Sequence, residues 1–405
     1  MNATRTPDGD RTAGEATPMH TRRALLRHGA LAATAWLAAP RLLLAQADTP
    51  RRLVFVLQRG AADGLHTVVP CADPGYARLR GALAIDPAEA IRLDGSFALH
   101  PALQDIGRLY AEGQALCAHA VASPYRARSH FDGQNVLETG GSAPYQLRDG
   151  WLNRLLGLLP RHGQEAVALA PMVPPALRGP HAVASYAPSG LPPPKDDLLT
   201  RVAQLYADDA QLHALWSTAM DARGMAAATD MAGGRARRDA AALGRLAAGF
   251  LARADGPRIA MLETDGWDTH QGQAGRMATQ LRALDTLVAA LRDGMGPAWQ
   301  HTVVLVATEF GRTAAANGTG GTDHGTASAA LLLGGAVRGG RVLADWPGLA
   351  PADLYEGRDL RPTLGLDALF AATAAECFGL DTERVARTLF PGQAVRLPGL
   401  PLLHG

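Results

Sequence analysis

The sequence predicts an α/β protein: a mainly parallel sheet sandwiched by helices, with a helical insertion or cap. Three observations carry the α/β class. Leu53–Leu57, Ala115–Val121 and Thr302–Thr308 are continuous apolar runs of strand length, as in strands buried on both faces of a parallel sheet. Segments of helical period lie between them, which is the strand-helix-strand alternation of an α/β fold. The polar residues able to do chemistry cluster just after the runs, and in open α/β sheets ligands bind beyond the carboxyl ends of the strands.

The elements follow in order. Leu53–Leu57 ends in Arg59-Gly60-Ala61-Ala62-Asp63-Gly64, and helical patterning over Pro101–Glu112 leads to the strand Ala115–Val121. Next come Arg128-Ser129-His130-Phe131-Asp132, a short helical segment, Asp149-Gly150-Trp151-Leu152-Asn153 and a further strand at Ala166–Ala170. Pro171–Pro194 is Pro-rich and irregular, and Asp196–Met220 and Arg237–Arg253 read as helices, so 171–256 forms a connection and helical cap or extra layer. The pattern resumes with the strand Arg258–Leu262, Gly266-Trp267-Asp268-Thr269-His270 and a long amphipathic helix, Ala274–Asp293. Thr302–Thr308 then leads through Glu309-Phe310-Gly311-Arg312 to Gly320-Gly321-Thr322-Asp323-His324-Gly325. Ala329–Leu333 and Arg341–Leu343, separated by paired glycines, read as strands around a hairpin, and Leu366–Phe378 is a helix.

With 405 residues and 47% hydrophobic composition the chain can bury a large core. A net charge of +1 and the lack of a basic run with interleaved aromatics give no reason to expect nucleic acid as a partner. Lys195 is the only lysine, which makes a catalytic lysine a poor expectation. Cys71, Cys117 and Cys377 have no metal-type spacing and cannot form a disulfide framework.

Thr21-Arg22-Arg23-Ala24-Leu25-Leu26, the Ala-rich stretch Gly29–Ala39 and the small-x-small site Ala45-Gln46-Ala47 read as a twin-arginine secretion signal. Residues 1–47 are therefore expected to be a leader and 48–405 a single domain, exported by the twin-arginine translocase to the periplasm or beyond. Pro40 and Arg41 interrupt the apolar stretch, so no stable transmembrane anchor is expected.

The candidate site is assembled from strand ends. Asp323 and His324 are adjacent, so they converge on one point only from a turn, which the flanking glycines permit. A carboxylate with an imidazole suits zinc, manganese or iron. Asp268 and His270, two residues apart, share a face of an extended chain and could grip one ion, or form an exposed turn. Asp63 is a ligand or a turn residue, Glu309 a ligand or an ion-pair partner of Arg312, and Ser129 a nucleophile or a helix cap beside His130. A Gly-x-Ser-x-Gly elbow, a Walker loop and a dinucleotide fingerprint are all missing.

Seven motifs in order, around Asp63, Ser129-His130-Phe131-Asp132, Asp149-Gly150-Trp151, Gly266-Trp267-Asp268-Thr269-His270, Thr308-Glu309-Phe310-Gly311-Arg312, Asp323-His324-Gly325 and Gly334–Gly340, resemble the domain of unknown function 1501 family across the mature chain. That family is similar to the alkaline-phosphatase-like and sulfatase-like superfamily, whose members carry a metal-dependent phosphate or sulfate ester site at the strand ends. The resemblance implies that Asp63 is the first-strand metal ligand and Ser129 the nucleophile. It further implies that Asp268 and His270 bind one metal and Asp323 with His324 the other. Glu309 stands where the superfamily's Asp-His-Gly directly follows a strand, so either Glu309 or Asp323-His324 is its counterpart. Thr326 stands where members often carry a second His.

The expectation is thus a metal-dependent hydrolase of small or polymeric phosphate or sulfate esters. It would hold one or two divalent ions, zinc first and manganese, calcium or magnesium as alternatives, on Asp63, Asp268, His270, Asp323 and His324 with Glu309. Ser129 and His130 would be catalytic, and Arg312 would pair with the substrate oxyanion. The competing expectations are a non-catalytic envelope protein with a degenerate site, and a metal hydrolase of amide or glycan linkages.

Overall fold

The computed structural model describes residues 50–160, 166–187, 196–207, 209, 212–213, 216–217, 219–220 and 239–405. The expected leader, 1–47, and residues 188–195 of the Pro-rich connection lie outside the described residues.

Strand β1 (Arg52–Gln58) is followed by α1 (Gly64–Thr67), β2 (Val68–Val69), α2 (Pro74–Arg80), β3 (Ile91–Arg92), β4 (Ala98–Leu99) and α3 (Gln104–Ala111). Then come β5 (Ala115–Ala122), α4 (His130–Thr139), α5 (Trp151–Leu156), β6 (Ala166–Ala168), β7 (Ala184–Ser185), α6 (Asp196–Tyr206) and α7 (Ala240–Leu251). The last part holds β8 (Ile259–Thr264), α8 (Gln273–Met295), β9 (Thr302–Thr308), β10 (Ser328–Leu333), β11 (Arg341–Leu343), β12 (Leu364–Gly365), α9 (Leu366–Phe378) and α10 (Thr382–Leu389).

The main sheet runs β11-β5-β10-β9-β1-β8-β6-β7, with β12 also on β5, while β2, β4 and β3 form a small sheet of their own. Among the described residues of the main sheet only β10 pairs antiparallel, with β9 on one side and β5 on the other. The sheet is therefore mainly parallel, as the unbroken apolar runs predict.

Its central strand shows why those runs are apolar throughout. Leu53, Phe55 and Leu57 enter one core with α5, α9 and α10, whereas Val54 and Val56 enter the opposite core with α3, α7 and α8. Alternate residues thus serve two helical layers, and a polar residue at any of these positions would leave a buried group unpaired. Helix α7, from the region read as a cap, belongs to that second layer and packs directly on α8: a side-chain carbon at Gly244 would lie 2.3 Å from the Leu287 carbonyl oxygen.

The expected hairpin between Ala329–Leu333 and Arg341–Leu343 does not form. Both strands pair with β5, which lies between them, β10 antiparallel and β11 parallel. The glycine-rich link crosses the start of β5 instead: the Gly339 and Gly340 amides donate to the carbonyls of Gly113 and Ala115, both at 2.9 Å.

Candidate metal centre

Four parallel strands deliver the site. Gln58 pairs with Thr264 and with Thr308, so β1, β8 and β9 end level with one another and release their loops at one edge. His130 opens α4 after β5 ends at that edge. Because β10 runs antiparallel, the chain leaving β9 at Thr308 must return to the same edge to enter β10 at Ser328. The intervening loop therefore brings Asp323 and His324 back beside Glu309, although the sequence separates them.

That loop closes on itself. Arg312 and His324 form an isolated antiparallel bridge, flanked by the bonds Gly311 N–H to Thr326 O (2.9 Å) and Thr313 N–H to Asp323 O (2.9 Å). The glycines around the Asp-His pair serve close approach as well as turning. A side-chain carbon at Gly325 would meet the Arg312 carbonyl at 2.3 Å, and one at Gly321 would meet the His270 carbonyl at 2.3 Å.

Donor atoms of His130, Asp268 and His324 all lie within 4.8 Å of one another, a group that can hold a metal ion. His324 Nε2 is 2.9 Å from His130 Nε2 and 3.0 Å from His270 Nε2. Asp268 reaches the same point, with Oδ1 3.1 Å from His270 Nε2 and 3.5 Å from His324 Nε2, and Oδ2 3.5 Å from His130 Nε2. A tetrahedral zinc with bonds of about 2.0 Å spaces its ligands roughly 3.3 Å apart, so these separations suit a small cation at the centre.

The proton positions make the same point. Each ring offers Nδ1 to an oxygen that can only accept: His130 to Glu309 Oε1 (2.8 Å), His270 to Asp323 Oδ1 (3.1 Å) and His324 to the Arg128 carbonyl (2.9 Å). For His130 and His324 the neutral imidazole therefore carries its proton on Nδ1 and its lone pair on Nε2, whereas His270 has a carboxylate oxygen 3.1 Å from each ring nitrogen. Two lone pairs and a carboxylate then face one another, an arrangement that a cation or a proton among them relieves. Fixing Nδ1 by a carboxylate or carbonyl is also how metal-bound histidines are oriented.

Charge is set by the same contacts. The hydrogen bond to Glu309 raises the His130 pKa against the effect of burial, whereas burial and then the neighbouring His130 lower that of His324. Burial would raise the carboxyl of Asp268, but the bond and charge of Arg312 outweigh it and hold it below the usual range. Asp323 is lowered by the Asn317 amide and then by His270.

Several residues expected as ligands or as an anion clamp stand elsewhere. Asp63 caps α1 through the amides of Leu65 (3.0 Å) and His66 (3.2 Å), and its carboxylate is held by both Arg80 Nη atoms and by Gln273 Nε2 (2.6 Å). Arg80 and Asp63 side chains are each 1% exposed. The Asp63 carboxylate is thus spent on a buried guanidinium, a stronger claim than a turn and one that leaves no lone pair directed at the centre. Its carboxyl, which burial alone would raise, is lowered by Arg80.

Glu309 is fully buried and does not pair with Arg312; it accepts from the Gly60 amide (2.9 Å), Gln134 Nε2 (3.0 Å) and His130 Nδ1. Its carboxylate faces the His130 ring from the Nδ1 side, as the Asp323 carboxylate faces that of His270. Arg312 is enclosed, 0% exposed at the side chain, and donates to Asp268 Oδ1 (2.7 Å), Thr322 Oγ1 (3.1 Å) and the Thr322 carbonyl. Buried and bonded in this way, it fixes Asp268 and does not reach out as an anion clamp. Ser129 occupies the N-cap position of α4 without making a side-chain cap bond.

Other contributors were not among the expected site residues. Phe310 stacks on the His130 ring at 5.0 Å and lies 5.4 Å from that of His324, and Gln134 supports Glu309. Gln134 could have been found, since it lies one helical turn after His130 and so on the same face. Arg80 and the segment around Asp359 give no such signal.

Fold and site together define an α/β protein with a mainly parallel mixed sheet and a His/Asp group that can hold a metal ion at the strand ends. The chain belongs to the family described as "Protein of unknown function (DUF1501)", whose profile matches residues 110–390. No curated protein matches it. Among solved structures it is similar to Ps i-CgsB in complex with k-i-k-neocarrahexaose, with 11% identity over 84% of this chain and 74% of that chain and a TM-score of 0.42. It is similar to a 2-O GAG sulfatase, with 10% identity over 87% of this chain and 76% of that chain and a TM-score of 0.36. It is also similar to the phosphonate monoester hydrolase of Agrobacterium radiobacter, with 11% identity over 82% of this chain and 74% of that chain and a TM-score of 0.32. Likenesses at this level say nothing about function.

Proposed function

We propose that the protein is an exported metal-dependent hydrolase of phosphate or sulfate esters, with zinc on His130, His270, His324 and Asp268. The observation that carries this reading is the convergence of His130 Nε2, His324 Nε2 and the Asp268 carboxylate within 4.8 Å of one another, both rings fixed from behind, with His270 Nε2 3.0 Å from that of His324. Imidazole donors favour zinc over calcium or magnesium, which prefer oxygen. A divalent ion held there supplies Lewis-acid polarisation of an ester oxygen and neutralises charge developing on it.

The chain's own residues supply the rest. Glu309 keeps the proton of His130 at Nδ1, and Asp268 is held in place by Arg312. Ser129, with no cap bond and next to His130, is the nucleophile of this reading. With Arg312 enclosed, the cation assigned in this reading to an anionic substrate is Arg358, 46% exposed and bonded to the His324 carbonyl. Export through the twin-arginine route to the periplasm is part of the same proposal, resting on the leader motif.

The test is metal content of full-length protein purified without chelators, with phosphate and sulfate monoester assays of wild type, Asp268→Ala, His324→Ala and Ser129→Ala. Stoichiometric zinc with turnover lost in all three variants is expected. Zinc without turnover on either ester class would support the non-catalytic alternative, and no metal uptake by the wild type would end the hydrolase reading.

A further inference from the structure

Outside the ligand set, the Asp359 carboxylate draws three residues of the site's surroundings together. The carboxylate is fully buried and accepts from Arg128 Nε (3.0 Å), Arg358 Nε (2.8 Å) and Thr326 Oγ1 (2.8 Å), with Arg128 Nη2 in ion-pair contact at 2.8 Å. Both arginines continue to His324. Arg128 accepts the His324 Nδ1–H on its carbonyl at 2.9 Å, and Arg358 donates to the His324 carbonyl. Thr326, the position of the missing family His, is thereby accounted for: its hydroxyl bonds Asp359.

The backbone of Arg128 shows that this tether does work. Arg128 has φ +61°, a left-handed conformation that a long-chain residue seldom adopts and that persists only when its surroundings hold it. The conformation aims the carbonyl at His324 and places Ser129 and His130 directly after it. What holds it is the bond from Arg128 Nε to Asp359 Oδ2, with Nη2 bonded to the exposed Glu356. One buried carboxylate thus secures His324 at both ends, its ring through Arg128 and its backbone through Arg358.

We infer that Asp359 is a positioning residue for the metal centre, fixing the tautomer and direction of His324 through Arg128 and Arg358. The inference rests on the metal-centre reading, but its spectroscopic arm needs no metal. Asp359→Asn should weaken Zn2+ binding about 10- to 100-fold, the usual effect of losing an orienting partner. In the metal-free protein the His324 imidazole 15N signals should pass from a single Nδ1–H tautomer to a mixture.

Should Asp359→Asn fail to fold, Arg128→Ala decides, because it keeps the carbonyl and a side chain that disfavours the left-handed backbone and removes the tether; the same loss of Zn2+ affinity and of the single tautomer is expected. A purely structural role would lower the melting temperature and leave both readouts at wild-type values. That outcome, in either folded variant, overturns the inference. If wild type takes up no Zn2+, the metal reading falls and the 15N signals alone judge Asp359: one tautomer in wild type and a mixture in the variant sustain it, and identical spectra refute it.

Discussion

Replacing Glu309 by Gln separates the charge behind His130 from the shape that surrounds it. Glu309 Oε1 accepts from Gly60, Gln134 and His130, and a Gln carbonyl can accept the same three bonds. Oε2 lies 2.9 Å from Thr308 Oγ1, whose single proton can go to the Gln58 carbonyl at 2.7 Å, so a Gln amide there can donate to the hydroxyl. The substitution thus preserves the hydrogen bonds and removes only the negative charge that makes His130 a stronger donor. Full loss of an orienting partner costs about 10- to 100-fold in metal affinity, so losing the charge alone should cost about tenfold, or about 1.4 kcal/mol. Glu309→Ala should in addition strand the buried Gly60 amide, at about 1–3 kcal/mol of stability. Zinc affinity by chelator competition and melting temperature by circular dichroism report the two effects. The reasoning is refuted if Glu309→Gln binds zinc as tightly as wild type, or if it melts as low as Glu309→Ala.

Three further outcomes are expected. Asp63→Asn or Arg80→Met, each removing one side of a fully buried ion pair, should cost about 3–5 kcal/mol in denaturant unfolding, with one zinc per chain retained; loss of zinc from a folded variant would return Asp63 to the ligand set. Gly325→Ala should force the Arg312 backbone aside and lower both stability and zinc affinity, while Gly318→Ala, with nothing within 4 Å, should change neither. The pH dependence follows from His130, whose raised pKa means the folded, metal-free protein holds a proton there more tightly than the unfolded chain. That contribution to stability is complete below the unfolded value of 6.5 and fades as pH rises through the raised one. Zinc needs the neutral ring, so affinity should climb across the same window. In Glu309→Gln the window should move to lower pH, and a pH-independent affinity would contradict the assignment.

The sequence makes the sheet legible because strands buried on both faces must be apolar at every position, as Leu53–Leu57 and Thr302–Thr308 are. It does not reveal strand direction: Ala329–Leu333 has the same composition as its parallel neighbours, and only pairing shows that β10 is reversed. The residues at the strand ends were visible too, since Asp268, His270 and His324 stand in glycine-rich turns after apolar runs. What stayed hidden was the competition for each carboxylate. Asp63 is captured by Arg80, from a helix outside every motif, and Glu309 turns inward to His130. Asp359 was invisible for a related reason, because it acts through the side chains and backbone of other residues.

The place of β1 in the middle of the sheet also bears on how the protein is made. Both of its hydrogen-bonding edges are filled by strands from much later in the chain, β8 from residue 259 and β9 from residue 302. At about 5–20 residues per second, the roughly 250 residues between β1 and the end of β9 take about 12–50 s to emerge from the ribosome. During that interval an apolar strand waits with two open edges, the condition under which unpaired strands join other chains. A nascent chain stopped before β9 should therefore aggregate, and the full-length protein should depend on a holding chaperone until its last third has been synthesised.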